Sequence, residues 1–476
     1  MGAPVRVLAL AVAAGLAARG LLWWSRVERS ASMPVPRALA NSGTSTSDIV
    51  VVVPVLAEQP RLARLVAHMQ SLRAAGERVT LVLASTTREP VVPGVPGTPE
   101  LCARWAARHE WICHHEVDDP GGMMASQLNG VLHECSRVRT CRHIAIYNAD
   151  SLPAEGTLRA AAEIMDRHQR PVAVQQHGLY LRNWRDFDTA APFSRAVLRA
   201  AAAWQCRWSL GFERVHATRS ARADGVRPAG DLVTPIARRR RPVPFAYVIG
   251  HGLQLRLEDL VGAGRFTERF PNEDAHLSVA LAARGVVVAP NPYWELADSP
   301  DSVRGLLVQK RVWFHGPAGA LRYRRDLRER GIAVDRDLRR PAYQLFNHAV
   351  CWAGGPLLAA SALTGAVLTG PVAFAGVLAG LVAYLVPAND LALRRAAALS
   401  GLPVRPMERL EAAIGAPVAY ALHGASAYWA IALSVRHALL GITPNKPRTP
   451  MRWTADGASN HTSDRAKRSD LREEAL

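Results

Sequence analysis

The chain has 476 residues, of which 49% are hydrophobic, and a formal net charge of +18; it is long enough for one large or two ordinary domains with a sizeable core. The positive charge is almost all arginine, lysine occurring only at positions 310, 446 and 467. No helix-turn-helix, zinc-finger or RNA-stacking pattern accompanies that charge, which argues against a nucleic-acid partner.

Near the N-terminus, "VLALAVAAGLAARGLLWW" (7–24) carries Arg19 inside it and is followed by Arg26, Arg29 and Arg37. Residues 1–29 read as a membrane anchor whose C-terminal end faces the cytoplasm, with a cleaved signal peptide as the alternative. A Ser/Pro/Ala-rich linker (30–47) leads into "SDIVVVVPVLAEQPRLARLVAHMQSL", an apolar strand, a turn carrying Pro54, and an amphipathic helix. "RVTLVLAST" (78–86) is a second strand, followed by a Pro/Gly loop at 90–98, a helix near 99–109, a short strand at 111–116 and the helix "MASQLNGVLHECS". "HIAIYNAD" ends the series as another buried strand. Apolar strands alternating with helices predict a Rossmann-like α/β fold, a mostly parallel sheet with helices on both faces. Ligands of such sheets bind at the carboxyl ends of the strands, where Asn148, Asp150 and Ser151 stand. Asn and Asp are also ordinary turn formers. A carboxylate tip suits Mg²⁺ or Mn²⁺, which takes a few oxygen ligands and leaves room for substrate oxygens.

Further along, "RAVLRAAAAWQCRWSLGFE" (195–213) places Trp204 and Trp208 on one helix face. That face could lie on a membrane, roof a substrate or pack in a core. "IARRRRP" (236–242) is a solvated loop or a contact for lipid phosphates. The basic segment 321–348 precedes a stretch, 349–389, free of Asp, Glu, Lys and Arg and long enough to cross a bilayer twice, with "LTGP" as its turn. A third apolar stretch, 412–435, makes the C-terminal region 349–441 a transmembrane unit; as a full span it sends the basic tail 442–476 outside, against the positive-inside rule, and the alternative is a re-entrant or interfacial helix. The basic flanks put the domain at 48–320 on the cytoplasmic side of the cell membrane. Six cysteines (Cys102, Cys113, Cys135, Cys141, Cys206, Cys351) include no C-x-x-C pair; buried thiols in a reducing compartment fit them, although Cys102 with Cys113 and Cys135 with Cys141 could be bridged.

Four short segments, "VVVPVLAEQ", "YNADSLP", "FPNEDAHLS" and "QKRVWFHG", stand in the order and spacing of the landmarks of the family 2 glycosyltransferases, and over residues 48–316 the chain resembles the membrane-attached branch of that family. The resemblance implies the A-type nucleotide-sugar fold and inverting transfer of a sugar from a nucleotide-diphosphate donor to a lipid-linked or glycan acceptor. It implies Asp274 as general base with Glu273 beside it, and Asp150 with Asn148 as ligands of Mg²⁺ or Mn²⁺. Donor contacts are implied for Pro54, Val55, Glu58, Asn129, Asn148, Asp150, Gln309, Arg311 and Trp313. Acceptor contacts are implied for Gly250, His251, Gly252 and Trp313. The chain departs from the pattern at Asn148, where the motif's first Asp is expected, and at Arg311, which is not directly before Trp313. It also has "ASTT" (84–87) where an acidic residue is common, and Met123 and Met124 where a lysine is common. These departures support an alternative, a catalytically degenerate relative that binds nucleotide-sugar or lipid and scaffolds a membrane assembly.

Overall fold

A computed structural model describes residues 3–33, 48–89, 96–119, 123–226, 245–332 and 338–440. Most of the linker, the loop 90–95, the arginine run 236–242 and the tail lie outside these residues. Eight strands form one sheet: β1 Ile49–Pro54, β2 Val79–Thr86, β3 Ile112–Val117, β4 His143–Ile146, β5 Leu152–Pro153, β6 Val172–Leu179, β7 Leu253–Arg256 and β8 Val287–Leu296. The helices of the first half are α1 Ala3–Ala31, α2 Gln59–Ala74, α3 Thr98–Arg108, α4 Met124–Glu134, α5 Ser136–Arg139, α6 Thr157–Arg167 and α7 Pro192–Trp208. Those of the second are α8 Arg214–Ala223, α9 Leu257–Gly262, α10 Glu273–Ala283, α11 Val303–Glu329, α12 Arg339–Thr369, α13 Pro371–Ser400 and α14 Pro406–Leu440.

The sheet order is β3-β2-β1-β4-β7-β6-β8-β5. The first four strands are parallel, as are β6 and β8, while β7 runs antiparallel to both its neighbours and β5 to β8. The expected mostly parallel layered sheet is therefore present. Alternation in β1 shows why both faces are covered: Val50 and Val52 join a core with α4, α10 and α11, whereas Ile49, Val51 and Val53 join another with α2, α3 and α6. Burial on both sides is what makes such a strand read as an unbroken apolar run.

Three helices, α12, α13 and α14, are long and apolar enough to cross a membrane, with mean hydropathies of 1.5, 1.9 and 1.3 over their most apolar windows. The expected turn between the first two is a single residue, Gly370, at φ +130°, a conformation that favours glycine. Helix α1 lies alongside α13 in parallel, with Gly20 against the backbone of Ala383 and Gly380 against that of Ala13; small residues let helix backbones approach this closely. Farther along the same pair, Arg395 ion-pairs with Glu28.

The Trp204–Trp208 face of α7 does not lie free. It packs against α1 and the long apolar helices: Trp204 meets Tyr384 and Tyr420, and Trp208 meets Trp23 and His348. A π-helical turn, Ser209–Glu213, joins α7 to α8. At the start of α14, buried Glu408 accepts from Trp184 Nε1 at 3.2 Å and Arg185 Nη1 at 2.5 Å. Glu411 there accepts from Arg195 Nη2 at 3.0 Å and pairs with the buried Arg199. All six cysteines are free thiols, so neither close pair is bridged.

Candidate active site

The turn after β4 is held from beneath. Tyr147 is fully buried, donates to Gln176 Oε1 at 2.6 Å and accepts from Gln254 Nε2 at 2.5 Å, which ties β4 to β6 and β7 below the turn. Above it, the Asn148 N–H donates to Ser151 Oγ at 3.3 Å and the Ser151 N–H to Asn148 O at 3.0 Å, the self-bonded turn such residues favour. Asp150 is half-buried on this turn.

Pairing of β5 with β8 then brings a distant segment to the same place. Leu152 opposes Leu296 and Pro153 opposes Glu295, so Glu295 and Asp298 come close to Asp150. Burial pushes the Asp150 carboxyl up; Arg61 opposes this, and Asp298 and Glu295 add to it. Asp298 accepts from Arg182 Nε at 2.7 Å and lies 3.8 Å from Arg61 Nη2. Arg61, in the first turn of α2, also holds Glu58 Oε2 at 3.0 Å. Burial carries Glu58 up to about 7 against the pull of Arg61, with Asp150 and Glu89 raising it further. The β1–α2 turn itself is braced by Glu89, which accepts from the Ala57 N–H at 2.8 Å and Gln59 Nε2 at 2.9 Å.

The Gly250-His251-Gly252 segment links this carboxylate group to the second acidic motif. The Gly250 N–H donates to Asp274 Oδ2 at 3.0 Å, while Oδ1 accepts from the Ala275 N–H at 2.7 Å. A Cβ on Gly250 would lie 3.5 Å from Asp274, 3.6 Å from Glu273 and 3.6 Å from Met124. One residue on, His251 Nδ1 contacts the Glu295 carboxylate at 3.0 Å and Nε2 lies 3.4 Å from Tyr180 Oη. Burial alone pulls the His251 imidazole down, but Glu295 reverses this and carries it up to about 9, with Asp150 contributing. Gly252 sits at φ +67°, and a Cβ there would lie 2.7 Å from Gln176 O and 2.9 Å from Glu295 Oε2, so only glycine fits. Glu273 and Asp274 open α10, where their charge also suits the helix dipole.

Other expected residues stand elsewhere. Pro54 and Val55 end β1 in the braced turn. Asn129 donates to Phe266 O at 2.9 Å and Glu268 Oε1 at 2.7 Å, and lines a surface cleft of about 530 Å³ with Asp118, His133, Arg265 and Arg330. Gln309 is half-buried on α11. Arg311 lies over Trp429 of α14, its Cζ 4.1 Å from the ring centroid. Trp313 packs beside the core containing Tyr180 and Trp294, with Lys310 Nζ 4.0 Å from its ring centroid.

Among the described residues, no group of three His, Cys, Asp or Glu side chains is placed to hold a metal ion. A protein-only cage therefore does not fit. A cation held chiefly by substrate phosphate oxygens needs only one or two carboxylates, and Asp150 fits that smaller role, Asp298 being engaged by Arg182.

No protein-family model matches the chain, and no curated protein matches it. Among solved structures it is similar to the mannosyltransferase PcManGT from Pyrobaculum calidifontis in complex with GDP-Man and Mn²⁺, at 19% identity and a TM-score of 0.44, covering 91% of this chain and 99% of that one. It is also similar to S. aureus TarS 1–349, at 9% identity and a TM-score of 0.37 over 80% of this chain and 91% of that one. Against the UDP complex of the same TarS fragment the identity is 11% and the TM-score 0.34, over 75% of this chain and 93% of that one.

Proposed function

We propose that this protein is a membrane-attached, inverting glycosyltransferase of the A-type fold, moving a sugar from a nucleotide-diphosphate donor to a lipid-linked or glycan acceptor at the cytoplasmic face. The observation that carries this reading is the 250–252 segment, whose first residue bonds Asp274 and whose second contacts Glu295, a carboxylate whose charge acts on Asp150. Two carboxylates from motifs far apart in the chain thereby flank one tripeptide.

In the proposed reaction the acceptor oxygen bonds to the anomeric carbon as the bond to the diphosphate breaks, and the diphosphate leaves with the electron pair. Asp274 takes the acceptor's proton; the Gly250 N–H on Oδ2 orients that carboxylate. Glu273 orients the acceptor. Arg61, Arg182 and His251 supply positive charge near the place where diphosphate charge grows. A Mg²⁺ or Mn²⁺ held by Asp150 and Asn148 would add Lewis-acid neutralisation of that charge. Pro54, Val55 and Glu58 line the nucleotide side, and Trp313 offers an aromatic face to a sugar.

One observation favours the scaffold alternative: Arg311 is bound to a membrane helix rather than to the donor side. The test uses the full chain in micelles with Mn²⁺ and a panel of UDP- and GDP-sugars, scored by thermal shift for binding and by release of nucleotide diphosphate for turnover. Asp274→Asn is expected to lower turnover by about 10²–10⁴-fold while keeping the thermal shift, and Asp150→Ala to lower both. Unchanged turnover in both variants would refute the catalytic roles; donor binding without turnover by the wild type would establish the scaffold.

A further inference from the structure

Arg207, near the end of α7, has only 1% of its surface exposed. Its guanidinium carbon lies 4.1 Å from the ring centroid of Trp204, 4.7 Å from that of Trp23 and 4.9 Å from that of Tyr384. Nη1 donates to Tyr384 O at 3.0 Å, but Nη2 is buried without a hydrogen-bond partner. A second arginine, Arg19 of α1, stands near the Tyr384 ring, 5.8 Å from its centroid, and is exposed. Among the described residues neither arginine forms an ion pair with a carboxylate. Buried or membrane-level cations are costly without a counter-charge, and an unpaired one marks a functional site.

The depth of the pair suggests the missing anion. On α13 the last large apolar residue exposed is Val382, just before Tyr384, and the charged residues Asp390, Arg394 and Arg395 follow. On α1, Arg19 lies between exposed Leu10 and exposed Leu21 and Leu22. The pair therefore sits about one helical turn inside the domain-side end of the apolar surface, a depth from which a long arginine side chain reaches the level of lipid phosphates. Guanidinium forks match phosphate oxygens, and the surrounding rings suit the first methylenes of a lipid chain.

We propose that Arg19 and Arg207 form a binding site for the phosphate of a membrane lipid, entered sideways from the bilayer past Arg19, with Arg207 as the inner charge. The site rests on the placement of α1 and α13 in a bilayer and not on sugar transfer. Trp204 of its wall also touches His423, whose Nδ1 is likewise buried without a partner, and His423 stacks on Trp352 at 4.1 Å.

The full chain in micelles, without sugar donor, is titrated with a polyisoprenyl phosphate, phosphatidylglycerol, the uncharged polyisoprenol and inorganic phosphate, and bound species are counted by native mass spectrometry. Wild type is expected to retain at least one phosphate lipid about tenfold more tightly than polyisoprenol, and Arg19→Gln and Arg207→Gln each to lose about tenfold of that affinity. Preference for the isoprenoid identifies an acceptor-type lipid, and preference for phosphatidylglycerol a bulk lipid. Arg19→Lys, which keeps the charge and loses the fork, is expected to fall between. Because Arg19 is exposed, its variants decide the matter even if Arg207→Gln does not fold. Equal retention of polyisoprenol, preference for free phosphate, or Arg19→Gln binding like wild type would overturn the proposal. Because no donor is present, these outcomes are independent of those for Asp274.

Discussion

Lys310 is one of only three lysines in the chain, yet it is 6% exposed. Its Nζ donates to Gln205 Oε1 at 2.5 Å and sits over Trp313. Burial lowers its pKa from 10.5 to about 7, with Glu213 only partly opposing. The unfolded chain therefore binds a proton that the folded one lacks between about pH 7 and 10.5, and stability rises with pH across that window. Thermal unfolding in micelles is expected to show a steeper rise over that range for wild type than for Lys310→Met; parallel curves would contradict a buried amine. At this scale Asp150, Glu273 and Asp274 were legible because each stands in a short motif at a strand or helix end. Arg61, Arg182, Glu295 and Asp298 were not, since the β1–β4 and β5–β8 pairings and the Arg182–Asp298 contact bring them to Asp150, and no local pattern encodes a contact between distant segments.

The contact between α7 and α14 carries a group of ion pairs at its domain end. Arg199, 2% exposed, reaches Asp188 and Glu411 and lies 3.5 Å from Glu408, itself 1% exposed. Removing one member of such a group leaves buried charge uncompensated, which costs about 3–5 kcal/mol. Arg199→Met is expected to lower unfolding stability by about 3 kcal/mol in denaturant titration, whereas Arg104→Met, in an exposed pair with Glu100, is expected to change it by less than about 1 kcal/mol. Helices and strands themselves were readable wherever a run of apolar residues had a clear period or length: β1, β2, β4 and the one-residue turn between α12 and α13 stand where the sequence puts them. The Trp204–Trp208 stripe shows the boundary of that legibility. An apolar face says that a helix is covered, but not by what, and here the cover comes from long apolar helices at the far end of the chain.

On the scale of the molecule, α12, α13 and α14 follow one another through short turns, and α1 runs parallel to α13. If all three span the bilayer, α12 leaves the domain side, α13 returns and α14 leaves again. Leu440→Cys, at the exposed end of α14, and Val7→Cys, near the exposed start of α1, are therefore expected to react with an impermeant maleimide from the side opposite the domain, in a background lacking Cys351. Labelling of Leu440→Cys from the domain side would instead establish the re-entrant alternative. The count of basic residues could not decide this, because the tail's arginines and those at the α13–α14 junction, Arg394, Arg395, Arg405 and Arg409, pull the topology in opposite directions.

The parallel seam between α1 and α13 also sets an order of events during synthesis. The groove that receives Gly20 and Ala13 is made of residues near position 380, so at roughly 5–20 residues per second the first helix waits tens of seconds on the ribosome for its counterpart. During that interval Arg19 has no tyrosine to shelter it and only lipid to meet. A nascent chain stalled before α13 should thus leave its leading segment free to slide, tilt or be captured by other proteins of the insertion machinery.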